Sequence, residues 1–411
     1  MAFFHEEVDQ KAVPLVQSPP RRASPSTLGG LVILVKGNLL NLLLPLVPLT
    51  LFLEQSGFSD IVVFGVGCVS LLPLAGLLGE LTEQIALHTN DTLGGLLNAT
   101  FGNATELIVS YFALEKGLLS VVKSSLMGSI LSNLLLVLGC SILAAGVRAG
   151  PGKETPHNLI STQSNTELLL VSILGLAVPT ICVATNQMSI DEEAELSLSR
   201  VISVCLLVLY ALYILFQLGT HPNLFDGHND KEEEEEEEEE EEATLPLGGA
   251  LVLLAGCTAL VAIVSEAITG AIEGAAAELG VNPIFVGFVI LPIVGNAAEH
   301  STAVVMAWKH KIDVAFGVAL GSSTQIALFA VPLMVLVAIP LGQPLDLCFG
   351  EFETVVVFIA ALIVSMICED ASTNWLEGAM LIIAYVIICT AYFFSGDPVA
   401  TNALEWTLPR Q

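Results

Sequence analysis

Gly102-Asn103-Ala104-Thr105-Glu106 recurs 193 residues later as Gly295-Asn296-Ala297-Ala298-Glu299, and this pair of stretches decides how the chain is read. Each copy lies inside an apolar segment long enough to cross a bilayer, Thr92 to Leu114 and Pro283 to Ala307. At the same offset Gly128-Ser129 maps onto Gly321-Ser322 and Glu80 onto Glu273. A second alignment, shifted by 186, pairs Glu167 with Glu353 and Cys182 with Cys368. The chain therefore contains two related halves, each with an acidic residue set among small and apolar neighbours.

Composition places those halves in lipid. The 411 residues are 54% hydrophobic and only 13% charged, with a mean hydropathy of +0.77, whereas an average soluble protein is about 25% charged. The net charge is nevertheless −29, and removing the eleven-residue run Glu232 to Glu242 still leaves −29 + 11 = −18. Acids must therefore lie elsewhere, and nucleic acid or anionic lipid is excluded as a partner by charge. The eight cysteines are isolated, without C-x-x-C spacing, and read as small buried hydrophobes. The first 30 residues lack the apolar region of a signal peptide, so the N-terminus is expected to stay cytosolic.

At about 20 apolar residues per crossing, eleven segments qualify, near 37–53, 61–86, 92–114, 120–145, 166–187, 198–218, 246–271, 283–307, 312–339, 352–368 and 375–394. With a cytosolic N-terminus, nine of the 13 basic residues fall on cytosolic segments and four outside, which supports that orientation. The expected division is a cytosolic segment 1–36, an extra first helix 37–53, a five-helix repeat 61–218, a cytosolic acidic loop 219–245, a second five-helix repeat 246–394 and a luminal tail 395–411. Five crossings per half invert the second repeat relative to the first, the plan of secondary transporters with a substrate site at the midplane. The fold class is an all-α polytopic membrane protein.

An acidic residue at the bilayer centre costs about 2.5–3.5 kcal/mol on insertion scales, so Glu106 and Glu299 need a reason. A single such residue can be an interhelical hydrogen-bonding strut, but a repeated Gly-Asn-x-x-Glu pair points to a site. Asn103 and Asn296 stand three residues before the two glutamates, on the same face if the helix is continuous. Two carboxylates and two amide oxygens suit a hard cation such as Ca²⁺, and the absence of paired His or Cys argues against zinc or copper. The following helices add Ser129, Ser132 and Asn133 in one half and Ser322, Ser323, Thr324 and Gln325 in the other. Gly94, Gly95, Gly102, Gly287, Gly295 and the Gly317-x-x-x-Gly321 pair let helices approach closely. Pro292 is expected to break its helix just before Gly295.

Glu80 and Glu83, with Glu273 as symmetric counterpart, read either as an access route or as solvated helix ends. His300, beside Glu299, reads as a proton relay or as a structural histidine. Glu266 demands a partner at its depth, on the ligand path or in a buried pair. The glutamate run is a self-repelling linker or a weak cytosolic cation collector, in which case Glu232, Glu236 and Glu240 would bind Ca²⁺.

At these residues the sequence resembles the calcium/proton exchanger family, the vacuolar cation/proton antiporters within the wider cation/Ca²⁺ exchanger superfamily. Gly94 to Ile108 is similar to the family's first signature and Pro292 to His300 to its second, while Gly128-Ser-Ile-Leu-Ser-Asn133 and Gly321-Ser-Ser-Thr-Gln325 also match. The resemblance runs from about residue 35 to 395. It implies that Glu106 and Glu299 are the central ion-binding carboxylates, that Asn103, Asn296, Ser129, Ser322 and Gln325 surround them, and that His300 is the histidine of the second motif. An acidic segment between the halves fits as well, although nearly pure glutamate here, where relatives mix acidic residues.

The expected activity is antiport of cytosolic Ca²⁺ against luminal H⁺ by alternating access, in a vacuolar membrane, with ion and protons competing for Glu106 and Glu299 and no cofactor. A Na⁺-coupled or Mn²⁺-preferring exchanger of the same fold and a cation channel are the alternatives. No G-x-S-x-G or H-E-x-x-H motif supports an enzyme, and nothing in the sequence fixes an oligomeric state.

Overall fold

The computed structural model describes residues 26–89, 91–185, 192–221 and 243–394. The glutamate run, and with it Glu232, Glu236 and Glu240, lies outside the described residues, as do the first 25 residues and the tail from 395. In chain order the helices are α1 (Thr27–Gly37), α2 (Leu39–Gln55), α3 (Asp60–Ala86), α4 (Asp91–Phe101), α5 (Ala104–Glu115), α6 (Leu119–Ala149), α7 (Leu159–Ala184), α8 (Glu193–Thr220), α9 (Leu247–Leu279), α10 (Pro283–Gly295), α11 (Ala297–Trp308), α12 (Ile312–Ala338), α13 (Glu351–Ile367) and α14 (Trp375–Phe394). The only strands among the described residues are β1 (Thr155–Pro156) and β2 (Ser372–Thr373), paired antiparallel.

Among the described residues, seven continuous helices are long and apolar enough to span a membrane, and two bent pairs, α1 with α2 at 97° and α10 with α11 at 55°, bring the number to nine. The eleven segments expected from the sequence therefore reduce to nine by this measure. Of the other two, 92–114 divides into α4 and α5, and α13 is only 17 residues long. The division falls in the repeated motif itself, because Asn103 (φ −100°, ψ 18°) and Asn296 (φ −90°, ψ 10°) leave helical geometry. An Asn at a helix start competes for backbone hydrogen bonds and favours such a break. Pro292 behaves differently from the expectation. It sits in the first turn of a regular helical stretch after a π turn over Val286–Ile290, and the chain breaks four residues later at Asn296. The wider π turn accommodates the missing N–H upstream, so the proline does not end the helix.

The outer surface is apolar. On α8 Val201, Val204, Val208, Leu212 and Leu215 are exposed at three- and four-residue spacing, and on α14 Met380, Ile383 and Ile387 do the same. Such stripes facing outward are lipid-contacting faces. Inside, two apolar cores form. One joins α2, α3 and α9 through Phe64, Leu71, Leu78, Val261 and Ile268, with Gly67 letting Ile268 approach so closely that a Cβ there would lie 2.7 Å from it. The other fills the space among α6, α7, α10, α12, α13 and α14 with Leu131, Leu134, Leu138, Phe288, Phe316, Leu328 and Val357.

Helix ends sort onto two faces. On the first, Gln84 Oε1 at the end of α3 accepts hydrogen bonds from Thr244 N (2.7 Å), Thr244 Oγ1 (2.9 Å) and Leu245 N (3.1 Å) just before α9. On the opposite face the side chain of Asp60, at the start of α3, packs against Gly274 near the end of α9. α3 and its repeat mate α9 thus run antiparallel side by side, as an inverted repeat requires. Also on the first face, β1 meets β2, and Asn158 caps α7 at Ser161 N while its own N–H donates to Asp313 Oδ1 at 2.6 Å. On the opposite face Lys123 pairs with Asp346 at 2.6 Å and donates to the Cys348 carbonyl, tying down the α12–α13 connection.

Candidate ion-binding site

The helix breaks put two asparagines and two glutamates at the junction between the halves. Each break leaves Asn at the first position outside a new helix and Glu in that helix's first turn, Glu106 on α5 and Glu299 on α11. Free N–H groups at such a helix start favour negative charge. The same-face argument for a continuous helix is thereby corrected: the amide and the carboxylate are brought together by the cap geometry of the second half-helix.

The two motifs meet across the repeat boundary. Glu106 reaches the second break, since a Cβ on Gly295 would lie 3.2 Å from its Oε1. Asn103 donates from Nδ2 to Gln325 Oε1 on α12 at 2.7 Å, and Ser322 donates from Oγ to Glu299 Oε1 at 3.0 Å. Asn133 on α6 stands beside Glu299. Ser132 and His300 Nε2 are 3.2 Å apart, again one residue from each half. Asn103, Asn296, Glu106, Ser129 and Asn133 are all buried. π turns at Ser132–Val137 and Ile326–Ala330 follow the site-lining serines on α6 and α12, a local widening frequent at functional sites.

The unpaired atoms define what the site can hold. Asn103 Oδ1, Glu106 Oε2, Asn133 Oδ1, Asn296 Oδ1 and Glu299 Oε2 are buried without a hydrogen-bond partner. Each such group costs about 1–3 kcal/mol when left unmade, and five acceptor oxygens, two from carboxylates and three from amides, call for a cation or protons. Among the described residues no group of three or more His, Cys, Asp and Glu is placed to hold a metal ion. The chemistry on offer is thus two carboxylates with amide and hydroxyl oxygens, a hard-cation set.

The remaining sequence candidates fall at different distances from this centre. Gln325 uses its oxygen on the Asn103 amide, so it orients the Asn103 oxygen. Gln325→Leu is expected to weaken about tenfold the binding of a cation held at this cluster, as loss of a supporting hydrogen bond does at metal sites, and a titration of the purified protein with a divalent cation checks it. Asn133, four residues beyond Ser129 and so on the same helix face, belongs with the central residues, and that i to i+4 spacing is its signal in the sequence. Glu80 lies at the first-face end of α3, where Asn38 donates to its Oε1 at 3.2 Å and Oε2 is buried without a partner. Glu83 is exposed beside it, and Glu273 is exposed near the opposite-face end of α9. Glu266 also departs from expectation: its side chain is exposed, and its backbone carbonyl accepts from Lys116 Nζ at 2.7 Å.

The chain is similar to known proteins over most of its length. The model of the sodium/calcium exchanger protein family matches residues 59–219 and 249–394. The vacuolar cation/proton exchanger 2 of Oryza sativa subsp. japonica is 43% identical over 364 residues, covering 88% of this chain and 83% of that protein. The Ca²⁺/H⁺ antiporter of Aphanothece halophytica is 39% identical over 359 residues, covering 86% of this chain and 95% of its own. Among solved structures, the Ca²⁺/H⁺ antiporter protein YfkE superposes with a TM-score of 0.72 at 34% identity, covering 86% of this chain and 98% of that one.

Proposed function

Because the chain belongs to the sodium/calcium exchanger protein family, we propose that it is a secondary antiporter carrying Ca²⁺ in one direction and H⁺ in the other, with both competing for Glu106 and Glu299. The observation that carries this reading is the meeting of one carboxylate from each half at a cluster of buried, unpaired oxygens. Two negative charges balance one divalent ion or two protons. A site so filled is neutral and can be passed from one face to the other, whereas an empty, doubly charged site resists the low-dielectric crossing. That restriction couples the two fluxes.

In this reading the two five-helix repeats, α3–α8 and α9–α14, embrace the site, and α1–α2 is an addition. The first face, with the N-terminus and the acidic loop, is cytosolic, and the membrane is vacuolar, in keeping with the names of the plant relatives. Glu80 and Glu83 mark the cytosolic approach and Glu273 the luminal one. His300, in contact with Ser132, passes protons to Glu299.

Ca²⁺ flux into vesicles holding the purified protein tests the reading under an H⁺ gradient, a Na⁺ gradient and a collapsed gradient. Uptake is expected only with acid inside. Uptake driven by Na⁺ would make it a Na⁺-coupled exchanger, preference for Mn²⁺ in competition would change the substrate, and flux without any gradient of H⁺ or Na⁺ would make it a channel.

A further inference from the structure

The two halves carry equivalent residues for a close helix crossing but use them unequally. In the second half α10 lies tightly across α6. A Cβ on Gly128 would run into the Phe288 carbonyl and approach Pro292 Cγ to 2.9 Å; one on Gly287 would run into Ser124 Oγ and approach the Val121 carbonyl to 3.2 Å. The Phe288 carbonyl is the one that Pro292, lacking an N–H, cannot engage from within the helix. Val286, Gly287, Phe288, Val289, Leu291 and Pro292 are all buried by this contact and its surroundings.

The 193-residue offset carries Ser124 and Gly128 to Gly317 and Gly321 on α12, and Gly287 and Phe288 to Gly94 and Gly95 on α4. Here the equivalent crossing is not made. Among the described residues nothing lies within 4 Å of a Cβ built on Gly317 or Gly321. Gly94 instead faces Ala86 of α3 at 3.1 Å, and Gly95 faces Leu218 of α8 at 2.6 Å. Leu93, Leu96 and Asn98 of α4 are exposed. Among the described residues the glycine pair on α12 is thus a helix-packing surface with no helix on it, while its repeat mate is fully packed.

We infer that Gly317 and Gly321 are the seat of α4 in the opposite-facing state: α4 docks there, closing the first face, when α10 leaves α6 and opens the other. This rests on the antiporter reading and adds the contact that alternates. On this inference the present conformation is the one in which α10, packed on α6, closes the opposite face, and α4, packed on α3 and α8, is off its α12 seat. Glycines on both partners let the backbones meet closely enough for the crossing to be stable once made, and two discrete packings of like helices form a bistable element.

The test is Gly317→Leu, five residues before Ser322 and outside the ion-binding residues. Its side chain enters open space in the present conformation, so the folded protein and its Ca²⁺ binding are expected to persist, with affinity changed by no more than about twofold. Docking of α4 would be obstructed, and Ca²⁺ uptake driven by an H⁺ gradient should fall about tenfold or more. Uptake at the wild-type rate overturns the inference, and so does loss of Ca²⁺ binding in the folded variant. A second arm is independent of which ion is carried. Cysteines placed by Gly95→Cys and Gly321→Cys should be joined by a short thiol cross-linker, beyond the level of either single variant, and the joined protein should show the α10 side opened to a water-soluble label at Val286→Cys, a buried position where the smaller thiol adds no clash. Absence of that cross-link under every gradient overturns the seat. Absence of proton-driven uptake by the wild-type protein, with the cross-link present, would instead remove the Ca²⁺/H⁺ assignment and leave the seat standing.

Discussion

Glu106→Gln and Glu299→Gln are each expected to lower proton-driven Ca²⁺ uptake by about a hundredfold or more, with the protein still folded. Glutamine conserves the volume and one carbonyl oxygen, so the Ser322 hydroxyl still finds an acceptor at 299 and Gly295 still accommodates the side chain at 106. What disappears is a negative charge and a protonatable oxygen. A divalent ion at the variant site keeps an uncompensated positive charge in a low-dielectric interior, and the site with one proton already equals the neutral state that a wild-type site reaches with two. The Ca²⁺-carrying half of the exchange therefore fails, while the proton-carrying half still runs with one proton in place of two, and without its Ca²⁺ half the exchange stops. Sign follows as well: in the wild-type protein, acid on the Ca²⁺-loading side should weaken the apparent Ca²⁺ affinity, because protons there occupy the oxygens that the ion needs. In the two variants that pH dependence should flatten together with the loss of transport. Uptake of ⁴⁵Ca²⁺ into vesicles of fixed internal pH, measured over a range of external pH, checks both statements; retained proton-driven uptake in either variant would end the assignment of that residue.

The centre of this site is legible in the amino-acid sequence because it is built from residues that repeat. Glu106 and Glu299 share a spacing to their glycines and asparagines, and a coincidence at one offset survives any uncertainty about where helices begin. Ser322 stands out by the same offset, and it does contact Glu299. What stays illegible has physical causes. Hydropathy sums over a window and does not register that Asn103 and Asn296 leave helical geometry, so it counts 92–114 and 283–307 as continuous spans. It does not register π turns, which change hydrogen-bonding register without changing composition, so Pro292 attracts a break that the chain makes at Asn296. Nor does a repeat reveal which of two equivalent contacts is made. Gly128 and Gly321 are interchangeable as letters, and only the packing separates them.

That difference makes the same one-carbon substitution at the two positions a sharp contrast. Gly128→Ala is expected to destabilise the detergent-solubilised protein by about 2 kcal/mol or more, a shift of several degrees in its thermal unfolding, whereas Gly321→Ala should leave it within about 0.5 kcal/mol of wild type. The added methyl at 128 meets the Phe288 carbonyl and Pro292 at once. Neither is the free end of a flexible side chain: one is backbone and the other a ring fused to it, so relief requires α10 to move bodily away from α6. That movement would strip burial from Phe288, which stacks on Tyr392 with centroids 3.8 Å apart in the larger core. At 321 the methyl meets nothing among the described residues, and Ala replaces Gly in a helix with a propensity gain. Equal destabilisation by both substitutions would mean that α4 already rests on α12, and the asymmetry between the halves would be lost. A destabilised Gly128→Ala protein that also exposes Val286→Cys, buried in the wild-type packing, to a water-soluble thiol label would tie the lost stability to the opening of this one crossing.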